Sequence, residues 1–85
     1  MHKLFVLVDP VHFTEIFELT NKQEMRKISQ LRLPQESIEF IKNYSNNIQK
    51  EVDVTYIGPV NYVNRFVNEA NNLEFVTAHM TETED

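Results

Sequence analysis

The stretch Leu4-Phe5-Val6-Leu7-Val8-Asp9-Pro10-Val11-His12-Phe13-Thr14-Glu15-Ile16-Phe17 decides how this chain is read. Its first half is a continuous apolar run with β-branched Val6 and Val8. A run of that length reads as a buried strand, central and parallel, because a strand covered on both faces has no need of alternating polar residues. Asp9-Pro10 ends it. Aspartate is a good helix cap, and proline suits the first helical position, where its missing N–H would be unpaired anyway. Phe13, Ile16 and Phe17 then fall on one helical face, with Thr20 continuing it, which predicts a helix after the turn.

Working outward, the tetrad Asp9-Pro10-Val11-His12 returns loosely as Gly58-Pro59-Val60-Asn61. An apolar run precedes each, and aromatics follow at matching offsets, Phe13 and Phe17 in one case, Tyr62 and Phe66 in the other. The chain is thus read as making one strand-to-helix turn twice. Between the turns, Asn21-Lys22-Gln23-Glu24 has the form of a capping box that restarts the helix, and Met25, Ile28 and Leu31 continue at helical spacing. Leu33 is pushed extended by Pro34, which opens a further helix bearing Ile38, Ile41 and Ile48 on one face. Residues 52–57 are a β-branched strand, residues 60–70 an amphipathic helix closed by Asn71-Asn72, and residues 73–79 a last strand.

The predicted order is β-α-α-β-α-β. Strands joined through helices run parallel with right-handed crossovers. The expected fold class is therefore α/β: a small three-stranded parallel sheet with helices packed on it, a Rossmann-like half-domain. Residues 1–80 form the single domain, and residues 81–85 an acidic flexible C-terminal tail. A three-stranded sheet has two edges, and the last strand has little edge protection beyond Glu74. A homo-oligomer is expected on that ground.

Composition narrows the function. The formal net charge of −5 and eight scattered basic residues argue against general nucleic-acid binding, which needs clustered cations on phosphates. The chain has no cysteine, so neither a disulfide framework nor a thiolate zinc site can be written. Its single glycine, Gly58, rules out glycine-rich phosphate loops. The longest apolar run is far too short for a membrane span, and no signal peptide is visible, so a cytoplasmic location is expected. The Asn, Lys and Ile usage is what an A/T-rich genome encodes, a composition common in phage and mobile-element proteins.

In open parallel sheets, ligands bind beyond the carboxyl ends of the strands. His12, Gly58, Asn61 and His79 are the candidate ligand-binding residues at those ends. Two helix N-termini meeting there would favour a small phosphate-bearing or nucleotide-like anion. Asp9, His12 and His79 have no spacing that requires a metal, and no cofactor is expected. No nucleophile–base pair or paired carboxylates can be written, so an enzyme is not expected. Phe40, Tyr44 and Tyr62 exceed what a small core absorbs and are the candidate interface anchors. The leading expectation is a non-enzymatic, oligomeric interaction protein, an inhibitor or adaptor that binds another macromolecule. The small anionic ligand is the alternative.

Overall fold

The computed structural model describes residues 2–82. Its elements are β1 (His2–Leu7), β2 (Thr14–Leu19), β3 (Met25–Leu31), α1 (Glu36–Ile48), β4 (Val52–Gly58), α2 (Val60–Ala70) and β5 (Val76–Glu82). The strands form one five-stranded mixed sheet in the order β3-β2-β1-β4-β5. β1, β4 and β5 are parallel, while β2 runs antiparallel to both of its neighbours. The expected three-stranded parallel sheet is therefore corrected. Two further strands lie where helices were predicted, between Asp9 and Leu31.

The physical reason lies in those residues. Asp9 caps no helix. Its Oδ1 accepts the Val11 N–H at 2.9 Å, an Asx turn that begins the loop from β1 into β2. Asp-Pro serves both kinds of turn equally well. The supposed capping box at residues 21–24 is the second hairpin turn. The Thr20 N–H donates to the Glu24 carbonyl at 2.8 Å, the Gln23 N–H donates to the Thr20 carbonyl at 2.9 Å, and Gln23 takes a left-handed φ of 64°.

The helical spacing of Met25, Ile28 and Leu31 has its own cause. Ile16 pairs with Ser29 but the next residue, Phe17, pairs with Lys27, so Ile28 is an extra residue in a β-bulge. The bulge lets Ile28 and Leu31, three apart, both pack against the core as helix neighbours would.

Both helices cover the same face. Tyr56 of β4 meets α1 at Ser37 and stacks on Phe66 of α2 at 6.3 Å between centroids. The two parallel connections, β1 to β4 and β4 to β5, step across the sheet in one direction, which with the usual right-handed crossover places both helices on one face. Alternation then sorts each strand. Leu4, Val6, Ile16, Val54, Tyr56 and Ala78 point under the helices and are buried. The buried Tyr56 phenol is satisfied by a chain of hydroxyls. Ser37 Oγ donates to the Pro34 carbonyl at 2.6 Å, which leaves it free to accept from Tyr56 Oη at 2.7 Å.

α2 ends at Ala70 with Asn71 in ordinary helical conformation, and the left-handed residue is Phe75, at φ 69°, just before β5. β5 runs on through Glu82, and the remainder of the acidic tail expected over 81–85 lies outside the described residues. No helix among the described residues is long and apolar enough to cross a membrane.

Candidate functional site

Two places on the sheet carry chemistry: a cleft at the carboxyl ends of β1 and β4, and the face that the helices leave bare.

The cleft has a volume of about 460 Å3 and is lined by Leu7, Asp9, His12, Phe13, Glu15 and Gly58, among others. His12 Nδ1 lies 2.8 Å from Asp9 Oδ2, with the imidazole largely in solvent. The Val11 N–H holds the Asp9 carboxyl below its ordinary pKa, and the His12 side chain adds to the effect. Of the predicted ligand residues, the fold brings His12 and Gly58 together here. Asn61 is exposed in the first turn of α2 and does not line the cleft. His79 is not at a strand end at all: it pairs with Thr55, midway along β4, on the bare face.

The cleft's electrostatics differ from those expected. Among the described residues only one helix starts beside it, since the chain after Asp9 enters a hairpin. That helix has Pro59 at its cap, with no N–H to offer, and no side-chain cap. Asp9 and Glu15 place two carboxylates on the wall. Gly58 serves packing: a Cβ there would stand 2.8 Å from the Val8 carbonyl oxygen and 3.0 Å from Val63 Cγ1. The close approach is to β1.

The predicted interface aromatics lie at the margin of the core. Phe40, Tyr44 and Tyr62 are half-buried and pack against the core. Phe40 and Tyr44 stack at 6.5 Å, and Tyr44 Oη donates to Glu18 Oε2 at 3.1 Å. Burial, then the Glu18 carboxylate, pushes the Tyr44 phenol from 10.0 up to about 12.

The bare face was not anticipated. Alternation and register put Lys3, Phe5 and Leu7 of β1, Glu15, Phe17 and Leu19 of β2, and Asp53, Thr55 and Ile57 of β4 on it. Met25 and Lys27 of β3 and Thr77 and His79 of β5 extend it. Phe5 sits directly across from Phe17. Leu7 is 36% exposed and Met25 50%, and neither Phe5 nor Phe17 belongs to the core. Read across the register, Met25, Leu19, Phe17, Phe5, Leu7 and Ile57 form one apolar diagonal.

A polar cluster fills the corner on each side of it. In one, Lys27 Nζ donates to Glu15 Oε2 at 2.9 Å and to Gln30 Oε1 at 3.0 Å. In the other, His79 Nε2 lies 3.1 Å from Asp53 Oδ1 and 3.2 Å from Thr55 Oγ1. An acid–imidazole–hydroxyl relay needs both ring nitrogens, one for each partner. His79 uses the same nitrogen for both, so Thr55 is not activated by this arrangement.

One signal for this face was present in the sequence. The unbroken apolar run of residues 4–8 fits a strand covered on both sides, but it fits equally a strand whose second face is apolar and bare. No protein-family model, no curated protein and no solved structure matches the chain.

Proposed function

We propose that this chain is a non-enzymatic interaction protein, an adaptor or inhibitor that binds another protein through the bare face of its sheet. One observation carries the reading: an apolar diagonal, with half-buried Phe5 and Phe17 at its centre and exposed Leu7 and Met25 towards its ends, that no described element covers. Contiguous exposed apolar surface on a small domain costs solubility and marks a place where something binds.

The chemistry of the face favours protein over nucleic acid. Paired aromatics on an open sheet can stack bases, but such surfaces also need cations along the strand. Here Lys3 and Lys27 are offset by Glu15 and Asp53, and Lys27 is already tied to Glu15. The non-enzymatic reading rests on the single-nitrogen use of His79 and on the solvent-exposed Asp9–His12 pair.

The phosphate-ligand alternative has weaker support, because the cleft has one helix start and two carboxylates where two helix starts were expected. The expected homo-oligomer keeps the support of two open sheet edges, β3 and β5, while five strands and two helices form the core within one chain.

A photo-cross-linking residue placed in turn at positions 7, 25 and 39 tests the proposal in lysate of the source cells. Positions 7 and 25 lie on the bare face, and Glu39 is exposed on α1. A discrete protein adduct from 7 and 25, but not from 39, is expected. Adducts from 39 alone, or none from any position, would sink the reading.

A further inference from the structure

The cleft at the carboxyl end of β1 carries a chemistry that the interaction reading leaves unused. Its base is a row of three residues in register, Leu7 of β1, Glu15 of β2 and Gln30 of β3. The loop from Asp9 to Phe13 and the turn at Gly58-Pro59 supply the rest of its wall. At about 460 Å3 it has the size of a small-molecule site.

Part of that wall is apolar. Phe13 is 50% exposed and Leu7 36%, two large side chains left to water on the cleft's surface. The rest is acidic. Asp9 and Glu15 belong to it, while no lysine or arginine among the described residues lines it.

The two carboxylates are unequally satisfied. Glu15 Oε2 and Gln30 Oε1 both accept from Lys27 Nζ, at 2.9 and 3.0 Å. That end of the row already holds an ammonium, the kind of group its oxygens suit. At the other end, Asp9 Oδ1 accepts the Val11 N–H at 2.9 Å, and Oδ2 meets the His12 imidazole at 2.8 Å. Among the described residues no lysine or arginine pairs with Asp9. The His12 side chain is 74% exposed, and a contact so open to water is worth little, so the ring yields to a stronger donor at small cost.

Two other ligand classes fit less well. An anion would face both carboxylates and a helix start whose cap, Pro59, has no N–H. A bare metal ion needs converging ligands, and no three His, Asp or Glu side chains among the described residues are placed to share one.

We propose that the cleft binds a small organic cation, an ammonium or guanidinium on an apolar body, with its charge on Asp9 and its body against Leu7 and Phe13. The cation takes the place of His12 at Asp9 Oδ2. Removing Leu7 and Phe13 from water supplies the apolar part of the affinity, and the Phe13 ring attracts the positive charge as well. The site does not depend on the bare-face contact: cross-linking reads that one, and ligand titration this one.

Three probes of nearly equal shape test it by amide NMR of the parent chain at neutral pH: phenethylamine, phenethyl alcohol and hydrocinnamate. They carry a positive charge, no charge and a negative charge. Saturable shifts at His12, Phe13 and Gly58 are expected with the amine. The alcohol should bind about fivefold more weakly, the share of one partly exposed ion pair, and hydrocinnamate more weakly still. Asp9→Asn keeps an oxygen for the Val11 N–H and removes the charge. It should cost the amine about fivefold and the alcohol nothing. His12→Ala should leave the amine's affinity unchanged or raise it.

Equal affinity for all three probes would make the cleft an apolar hollow and overturn the proposal. Preference for hydrocinnamate, or loss of amine binding in His12→Ala, would mark an anion site and do the same. So would amine shifts confined to other residues, or none that saturate by about 10 mM. Tighter binding of the capped peptide Ala-Lys-Ala than of the amine would give the site to a partner's lysine and overturn its assignment to a small molecule. The three-probe comparison uses the parent chain alone, so it decides the matter even if Asp9→Asn fails to fold.

Discussion

Gly58 shows how a residue with the look of a ligand contact can be a packing requirement. It stands at the end of β4, where the β1 backbone passes so close that a Cβ would meet the Val8 carbonyl at 2.8 Å. Backbone cannot yield as a flexible side chain can, so Gly58→Ala is expected to lower stability by about 1–3 kcal/mol, the usual cost of overpacking. Asn61→Ala, at an exposed position in the next turn, should stay within about 0.5 kcal/mol. Urea unfolding of the two variants checks both, and an innocuous Gly58→Ala would mean that β1 and β4 have room to part.

Tyr56 and Tyr44 give the chain an alkaline limit. Burial raises both phenols from 10.0 to about 12. A raised pKa means that the folded chain keeps protons which the unfolded chain has released. Their contribution is therefore whole below pH 10 and is lost as the pH climbs from 10 towards 12. Thermal melts across that window should show a falling midpoint, less steep in Tyr56→Phe. An equally steep fall in Tyr56→Phe and Tyr44→Phe would place the cause elsewhere.

At the scale of the element, β5 is the strand whose condition matters most. It is an edge, and its middle is occupied by the Asn71 amide rather than by another strand. Asn71→Ala removes two hydrogen bonds and bares the Ala78 N–H and carbonyl. A loss of about 1–2 kcal/mol is expected, together with concentration-dependent self-association stronger than the parent's. Sedimentation velocity over a hundredfold range of concentration reads this, and a monodisperse Asn71→Ala would show that the clamp does not guard the edge. Asn71 was anticipated as a helix stop. The helix does end there, but nothing in a single sequence marks the side chain as a partner for Ala78, seven residues on.

β2 and β3 carry helix-like patterns for a reason their side chains make plain. In β2, Ile16 goes under the helices while Phe17 goes to the bare face, so apolar residues occupy consecutive positions and the period of two vanishes. In β3 the bulge adds a residue and imitates helical spacing.

For the molecule as a whole, the two-faced sheet is the feature from which function is argued. One face carries α1 and α2 over the core, and the other carries the Phe5–Phe17 diagonal between two self-satisfied polar corners. By itself the sequence determined, to within a residue at each end, the strands read at 3–8 and 52–57, the helices after Pro34 and Pro59, and the charge that disfavours nucleic acid. These are local matters: propensity, helical periodicity, the punctuation of proline and glycine, and net charge need no partner to be read. Only the tertiary structure decided that Asp9 opens a hairpin, that His79 lies on the bare face away from His12, that Phe40, Tyr44 and Tyr62 belong to the core margin, and that Phe5 and Phe17 face outwards together. Each depends on which strand lies beside which. Asp-Pro and an i, i+3, i+4 apolar pattern satisfy a helix and a hairpin alike until pairing with β1 makes one of them lower in free energy.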